Sequence, residues 1–133
     1  RLLLSYKKMK YYTDGFTIQS NPSTIGGGFT VVDELGKLIK REEILKEWFT
    51  NNEGELLGVL YVLENFNNCI ISTDSMNTIY WIKKGFSKAR PDLKDVLLKA
   101  KTLKEKKEIE IIFEPREKNL AGVYNENYGL INL

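Results

Sequence analysis

The chain contains no histidine and only one cysteine in 133 residues. Without imidazole there can be no triad built on a histidine base and no zinc site of the usual nitrogen and sulfur donors. Any metal bound here has to be a hard cation held by oxygen, which means carboxylates with Mg²⁺ or Mn²⁺. The lone Cys69, in the apolar run "NCIIS", has no partner for an internal disulfide, which fits a reducing compartment; it reads as a small buried hydrophobe. Long apolar runs are missing too. "RLLL" at the start is far shorter than a signal-peptide core, and no stretch nears the ~18 apolar residues of a membrane span. A soluble cytoplasmic protein with no membrane association is therefore expected. The chain opens on Arg1 rather than Met, as one trimmed or excised from a longer protein would.

What is present is the composition of a globular protein, 42% apolar and 29% charged. A length of 133 residues suits one domain, residues 1–133, able to bury a core without staples and expected to be a monomer. The net charge of +2 says little about partners, whereas the distribution of charge says more.

Hydrophobic periodicity gives the element order. "KMKYYTDGFTI" is aromatic and β-branched and reads as a strand, followed by a turn in "QSNPSTIGGG". Phe29 to Val32, a turn near Glu34 to Gly36 and a return through Leu38 and Ile39 give a hairpin. From Glu53 the period changes: Leu56, Val59, Leu60 and Leu63 fall at i, i+3, i+4 and i+7, the stripe of an amphipathic helix, with Asn51 or Asn52 suited to cap it. "NCIIST" is a short apolar strand, and "DSMNTIYWIKKG" a helix closing at Gly85. Pro91 opens another helix, "IEIIFEP" is a fifth strand, and Asn119 caps a last helix through about Asn127. The expected fold is α/β, a five-stranded mixed sheet of three antiparallel and then parallel strands, flanked by helices.

Three acids stand out in this order. Asp14 lies within the first strand, where a buried unpaired carboxylate is costly. Asp74 ends the fourth strand, and sites form beyond the carboxyl ends of parallel strands. Glu55 lies at the start of the first helix. Each has an ordinary explanation alone: an outward-facing aspartate, a helix N-cap and a charge near the helix dipole.

Taken together, "YYTDG", then "NP" with a glycine run, then "TNNEGEL", then "ISTDS" with "WIKKG" behind it, the sequence resembles ribonuclease H of type 1 from about Lys10 to Tyr128. The resemblance implies the ribonuclease H-like fold and an endoribonuclease that cuts the RNA strand of RNA/DNA hybrids, leaving 5′-phosphate and 3′-hydroxyl ends. It makes Asp14, Glu55 and Asp74 the first three catalytic, metal-binding carboxylates, with Glu53 on a different helix face. Two Mg²⁺ ions about 4 Å apart, or Mn²⁺, would supply the nucleophile and stabilise the leaving oxygen. Clustered carboxylates repel, so the metal-free acids are expected to have raised pKa values.

The family's fourth acid, an aspartate in the last helix, is missing. "NLAGVYNEN" places Gly122 there or, with the commoner spacing from Asn119, Val123. Glu126 follows Gly122 by four residues and Val123 by three, close to the same helix face, and is the candidate replacement as catalytic and metal-binding residue. Glu114 and Glu117 are less suited, since they precede the helix cap. Loss of the fourth acid leaves a rival reading, a module of the same fold that holds a hybrid or a partner protein without cutting.

Amides both donate and accept, which suits them to the RNA 2′-hydroxyl. By the resemblance, Asn21, Asn51, Asn52 and the backbone around Gly15 and Phe16 line the RNA strand, and Ser75 joins the substrate-binding set. Between Lys83 and Lys107 there are ten Lys or Arg against three acids, a patch able to bind phosphates without reading sequence. Lys83, Lys84, Lys88 and Arg90 are the expected DNA-strand contacts, whereas Trp81, with Ile79 and Ile82 around it, is expected in the core.

Overall fold

In the first strand, β1 (Met9–Thr17), buried Tyr11, Thr13 and Gly15 alternate with half-buried Tyr12, Asp14 and Phe16. That period of two sends Asp14 to the opposite face of the sheet from Tyr11. The structure, a computed structural model, describes residues 8–131. After β1 come β2 (Gly26–Asp33), β3 (Leu38–Leu45), α1 (Asn51–Asn65), β4 (Cys69–Thr73), α2 (Met76–Lys84), α3 (Lys94–Lys107), β5 (Glu110–Phe113) and α4 (Leu120–Ile131). The strands form one sheet in the order β3-β2-β1-β4-β5. The β1–β2 and β2–β3 pairs are antiparallel, and the β1–β4 and β4–β5 pairs parallel. This is the mixed sheet expected from the sequence.

The apolar stripe of α1 faces the sheet. Leu56, Val59, Leu60, Val62 and Leu63 are buried against Tyr11, Phe29, Val31 and Ile71, and Leu97 and Ala100 of α3 extend the same core. Trp81 packs against its edge, and Cys69 is buried within it, both as expected. The approach of α1 to β1 is close enough to require glycine. A Cβ at Gly15 would lie 2.4 Å from the Glu55 backbone nitrogen, and one at Gly54 would lie 2.4 Å from the Gly28 carbonyl oxygen.

Four local expectations are revised. The N-cap of α1 is Thr50, whose hydroxyl accepts from the Glu53 N–H; neither Asn51 nor Asn52 fills that role. All three residue types cap well; the helix begins at Asn51, which leaves Thr50 at the cap position, and the Asn51 N–H, one of the free donors of the first turn, is taken by Asn21 Oδ1 at 3.0 Å. Gly26 to Gly28 open β2 instead of ending a turn. A one-turn 3₁₀ segment, Pro91–Leu93, precedes α3. The last helix runs on to Ile131, with Asn119 Oδ1 accepting from the Ala121 and Gly122 N–H groups at its start.

Strand pairing and helix placement together bring distant residues to one end of the sheet. The parallel pairing of β1 with β4 ends at Tyr12 opposite Ser72, so beyond these residues the two strands separate. There, past the carboxyl end of β4 and beside the second half of β1, residues from β1, the turn after β4, α1 and α4 come together. Among the described residues no helix is long and apolar enough to cross a membrane.

Candidate active site

Asp14, Glu55 and Asp74 come from three separate elements, and their carboxylate oxygens lie within 4.8 Å of one another. Each is held by neighbours. The Gly15 N–H donates to Glu55 Oε1 at 3.0 Å, and the Thr73 hydroxyl donates to Glu55 Oε2 at 3.4 Å. The buried Asn119 amide donates both to the Thr13 carbonyl at 2.9 Å and to Asp74 Oδ2 at 3.3 Å, tying β1 to the end of β4. Asp74 is not the cap of α2; Ser75 is, accepting from the Thr78 N–H.

The electrostatics are those of crowded, dehydrated acids. Burial pushes the Glu55 carboxyl well above the usual carboxylate range, and the charges of Asp14 and Asp74 push the same way against the Gly15 N–H. Burial also raises Asp14, opposed first by a hydrogen bond from the Glu55 carboxyl and then by the Asn125 amide and the Arg116 charge, while the Asp74 charge adds to the rise. Three oxygen donors so gathered, with neither sulfur nor imidazole among them, suit a hard divalent cation, which would offset the burial and the crowding of charge that raise Glu55 and Asp14.

Glu53, two residues before Glu55, is equally buried and differently surrounded. Its Oε1 accepts from Arg90 Nη2 at 3.0 Å, and its Oε2 pairs with Lys46. Arg90 also reaches the Thr50 hydroxyl at 2.9 Å and Asp92 at 2.9 Å. The guanidinium expected on the DNA strand is thus committed within the fold. Lys83, Lys84 and Lys88 are exposed.

On α4 the structure separates the residues that the sequence left as alternatives. Gly122 faces the acids: a Cβ there would lie 3.6 Å from Asp14 Oδ2. Val123 is 40% exposed and Glu126 is also exposed. Glu126 is not part of the acid cluster. The residue one turn after Gly122 that meets Asp14 is Asn125, whose Nδ2 donates to Asp14 Oδ2 at 2.9 Å. Since α4 packs on both β1 and β2, the side chain at i+3 points between the strands, and the one at i+4 is left toward solvent.

A hollow of about 530 Å³ opens beside the acids, lined by Asn51, Asn52, Glu55, Asp74, Ser75 and Arg116 among others. The expected RNA-strand residues are therefore partly here. Asn51 and Asn52 form its wall, Asn21 supports it through Asn51, and Ser75 is used in part as a helix cap. The Gly15 N–H is taken by Glu55, and the Phe16 ring stacks against Arg41, 4.2 Å away. Sequence reasoning missed Arg116, whose charge acts on Asp14 from a short 3₁₀ turn (Arg116–Lys118) before α4, and Asn125, which had the helix spacing from Gly122 to be noticed.

No protein-family model and no curated protein matches the chain. Solved structures do. The RNase H1 of the halophilic archaeon Halobacterium salinarum NRC-1 is 21% identical with a TM-score of 0.63, over 86% of this chain and 91% of that one. An RNase H1 isolated from compost by a metagenomic approach is 24% identical with a TM-score of 0.63, over 92% of this chain and 98% of that one. The same compost enzyme in complex with an RNA/DNA hybrid matches at 23% identity and a TM-score of 0.58, over 84% of this chain and 88% of that one.

Proposed function

On the ribonuclease H fold that this chain has, we propose a metal-dependent endoribonuclease that hydrolyses the RNA strand of RNA/DNA hybrids, leaving 5′-phosphate and 3′-hydroxyl ends. The observation that carries this reading is the convergence of Asp14, Glu55 and Asp74 within 4.8 Å at the edge of a hollow walled by two asparagines. The compost RNase H1, which shares the fold, was solved with an RNA/DNA hybrid; one fold hosts many functions, so the substrate reading rests on the acids and the two asparagines.

Asp14, Glu55 and Asp74 are the residues that would hold the metal. Two divalent ions, Mg²⁺ or Mn²⁺, supply activation of water and stabilisation of the departing oxygen when bound there. The protein's part is to fix the ligands and place the strand. The Gly15 N–H and the Thr73 hydroxyl aim Glu55 into the cluster, and the Asn119 amide does the same for Asp74. Asn51 and Asn52 present amides that can both donate to and accept from a 2′-hydroxyl, the group that distinguishes RNA from DNA. Lys83, Lys84 and Lys88, exposed on and after α2, supply non-specific attraction to the phosphates of the DNA strand. Glu126 enters as a metal ligand only if its exposed side chain turns in, and replacing it with Gln tests that directly.

A second reading has one specific observation in its favour. Gly122 faces Asp14 and brings no carboxylate, so a module that grips a hybrid without cutting it is the alternative. Cleavage of an end-labelled RNA/DNA hybrid in Mg²⁺ and in Mn²⁺ separates the two, with single-stranded and duplex RNA as controls and Asp14→Asn as the blank. Cutting confined to the hybrid and absent from the blank supports the nuclease. Tight, salt-sensitive binding with no cutting in either metal supports the module.

A further inference from the structure

The α4 side of the acid cluster brings no acid, yet it is occupied. Asn125 Nδ2 donates to Asp14 Oδ2 at 2.9 Å, and the Thr30 hydroxyl donates to Asn125 Oδ1 at 2.6 Å. Thr30 is fully buried and sits directly opposite Asp14 in the β1–β2 ladder. The three side chains thus form a relay from one strand, through a helix, to the neighbouring strand. Its polarity is fixed by chemistry. An ionised carboxylate can only accept, so the amide must turn its NH₂ to Asp14 and its oxygen to Thr30, whose hydroxyl is free to donate.

We propose that Asn125 is a positioning residue for the metal site: its amide, oriented by Thr30, fixes the Asp14 carboxylate where a fourth acid would otherwise stand. Crowding does not impose the glycine at 122. A Cβ there would be in ordinary van der Waals contact with Asp14, 3.6 Å from Oδ2. What the glycine does is leave the flank of Asp14 to a residue from the next turn, and the residue that reaches it is a neutral donor. The consequence is a cluster of three carboxylates rather than four, with less mutual repulsion when empty and weaker attraction for cations. At the same time, Asp14 is held in one orientation before any cation arrives. Such supporting hydrogen bonds typically carry about 10–100-fold in metal affinity or activity.

The kinetic part of this inference rests on the nuclease reading, whereas the binding part does not. The test is therefore Mn²⁺ binding to the full chain without nucleic acid, by calorimetry or by the free-ion electron paramagnetic resonance signal, alongside hybrid cleavage. Asn125→Ala is expected to weaken Mn²⁺ binding by about tenfold or more and to lower kcat with KM for the hybrid nearly unchanged. Thr30→Val keeps a β-branched strand residue and leaves Asn125 in place, and is expected to weaken Mn²⁺ in the same direction by less. Unchanged Mn²⁺ affinity in Asn125→Ala, with only a lower melting temperature, would reduce Asn125 to packing and overturn the proposal. If that variant does not fold, unchanged Mn²⁺ affinity in Thr30→Val overturns it instead. Weakened Mn²⁺ binding in the variants of a wild type that cuts nothing would uphold the positioning role and sink the nuclease reading alone.

Discussion

Glu53 and Glu55 stand two residues apart near the start of α1 and are 3% and 1% exposed, yet their surroundings are opposite. One faces two cations, Arg90 and Lys46, and anchors the loop before α3 to the helix. The other faces two more acids, Asp14 and Asp74. Burial of an ion is costly in both cases; at Glu53 the fold supplies the counter-charge, and at Glu55 it does not. A buried acid that the fold leaves without a cation is one that something else must neutralise, and that asymmetry is the ground on which the proposed function gives Glu55 to the metal and Glu53 to the fold.

The contrast can be broken by exchanging what each acid loses. The largest effect is expected from Glu55→Gln, which should cost hybrid cleavage more than the roughly 100-fold that loss of a supporting hydrogen bond costs, and should raise the melting temperature of the metal-free protein. Next comes Arg90→Met, which leaves Glu53 buried with only half-exposed Lys46. Urea denaturation should show a loss of about 1–3 kcal/mol, the scale of lost hydrogen bonds to a charged group, and residual folded protein should still bind Mn²⁺ normally. Gly122→Asp adds a fourth carboxylate beside Asp14, and is expected to tighten Mn²⁺ binding by roughly tenfold, since ligand charge tunes affinity, while lowering metal-free stability.

The smallest effect is that of pH. The folded Glu55 and Asp14 carboxyls hold protons to higher pH than they do in the unfolded chain. Between the ordinary carboxylate range and those raised values the native state therefore binds more protons, so this contribution to stability falls as pH rises through the window and returns on acidification. Melting curves in a chelating buffer should show wild type losing stability relative to Glu55→Gln as pH rises across that window, and added Mg²⁺ should narrow the difference.

The elements were legible because their signals are local. The aromatic alternation of β1, the i, i+3, i+4, i+7 stripe of α1 and the glycine at 85, which ends α2 with φ 79, each sit within a dozen residues. That Asp14, Glu55 and Asp74 converge was not legible in spacing. Nothing in periodicity says that β1 lies beside β4, and the grouping came from the likeness of the motifs to ribonuclease H. Elsewhere the deciding contact was distant. Arg90 lay in a basic run that suggested phosphate contact, but its partner Glu53 is 37 residues away in sequence. Glu126 and Asn125 differ by one position, about 100° of helix rotation, and only the seating of α4 on β1 and β2 decides which of them meets Asp14. Thr50, Asn51 and Asn52 are all good caps, so local preference could not choose among them.

The most direct test of this division of roles sets the two glutamates side by side. Cleavage of an end-labelled RNA/DNA hybrid would be measured in Mg²⁺ and Mn²⁺ for wild type, Glu55→Gln and Glu53→Gln. Wild type and Glu53→Gln are expected to cut the hybrid, and Glu55→Gln is expected not to. Cleavage that survives Glu55→Gln, or that is lost equally in both variants while both remain folded, would contradict the assignment of Glu55 to the metal site and of Glu53 to the fold.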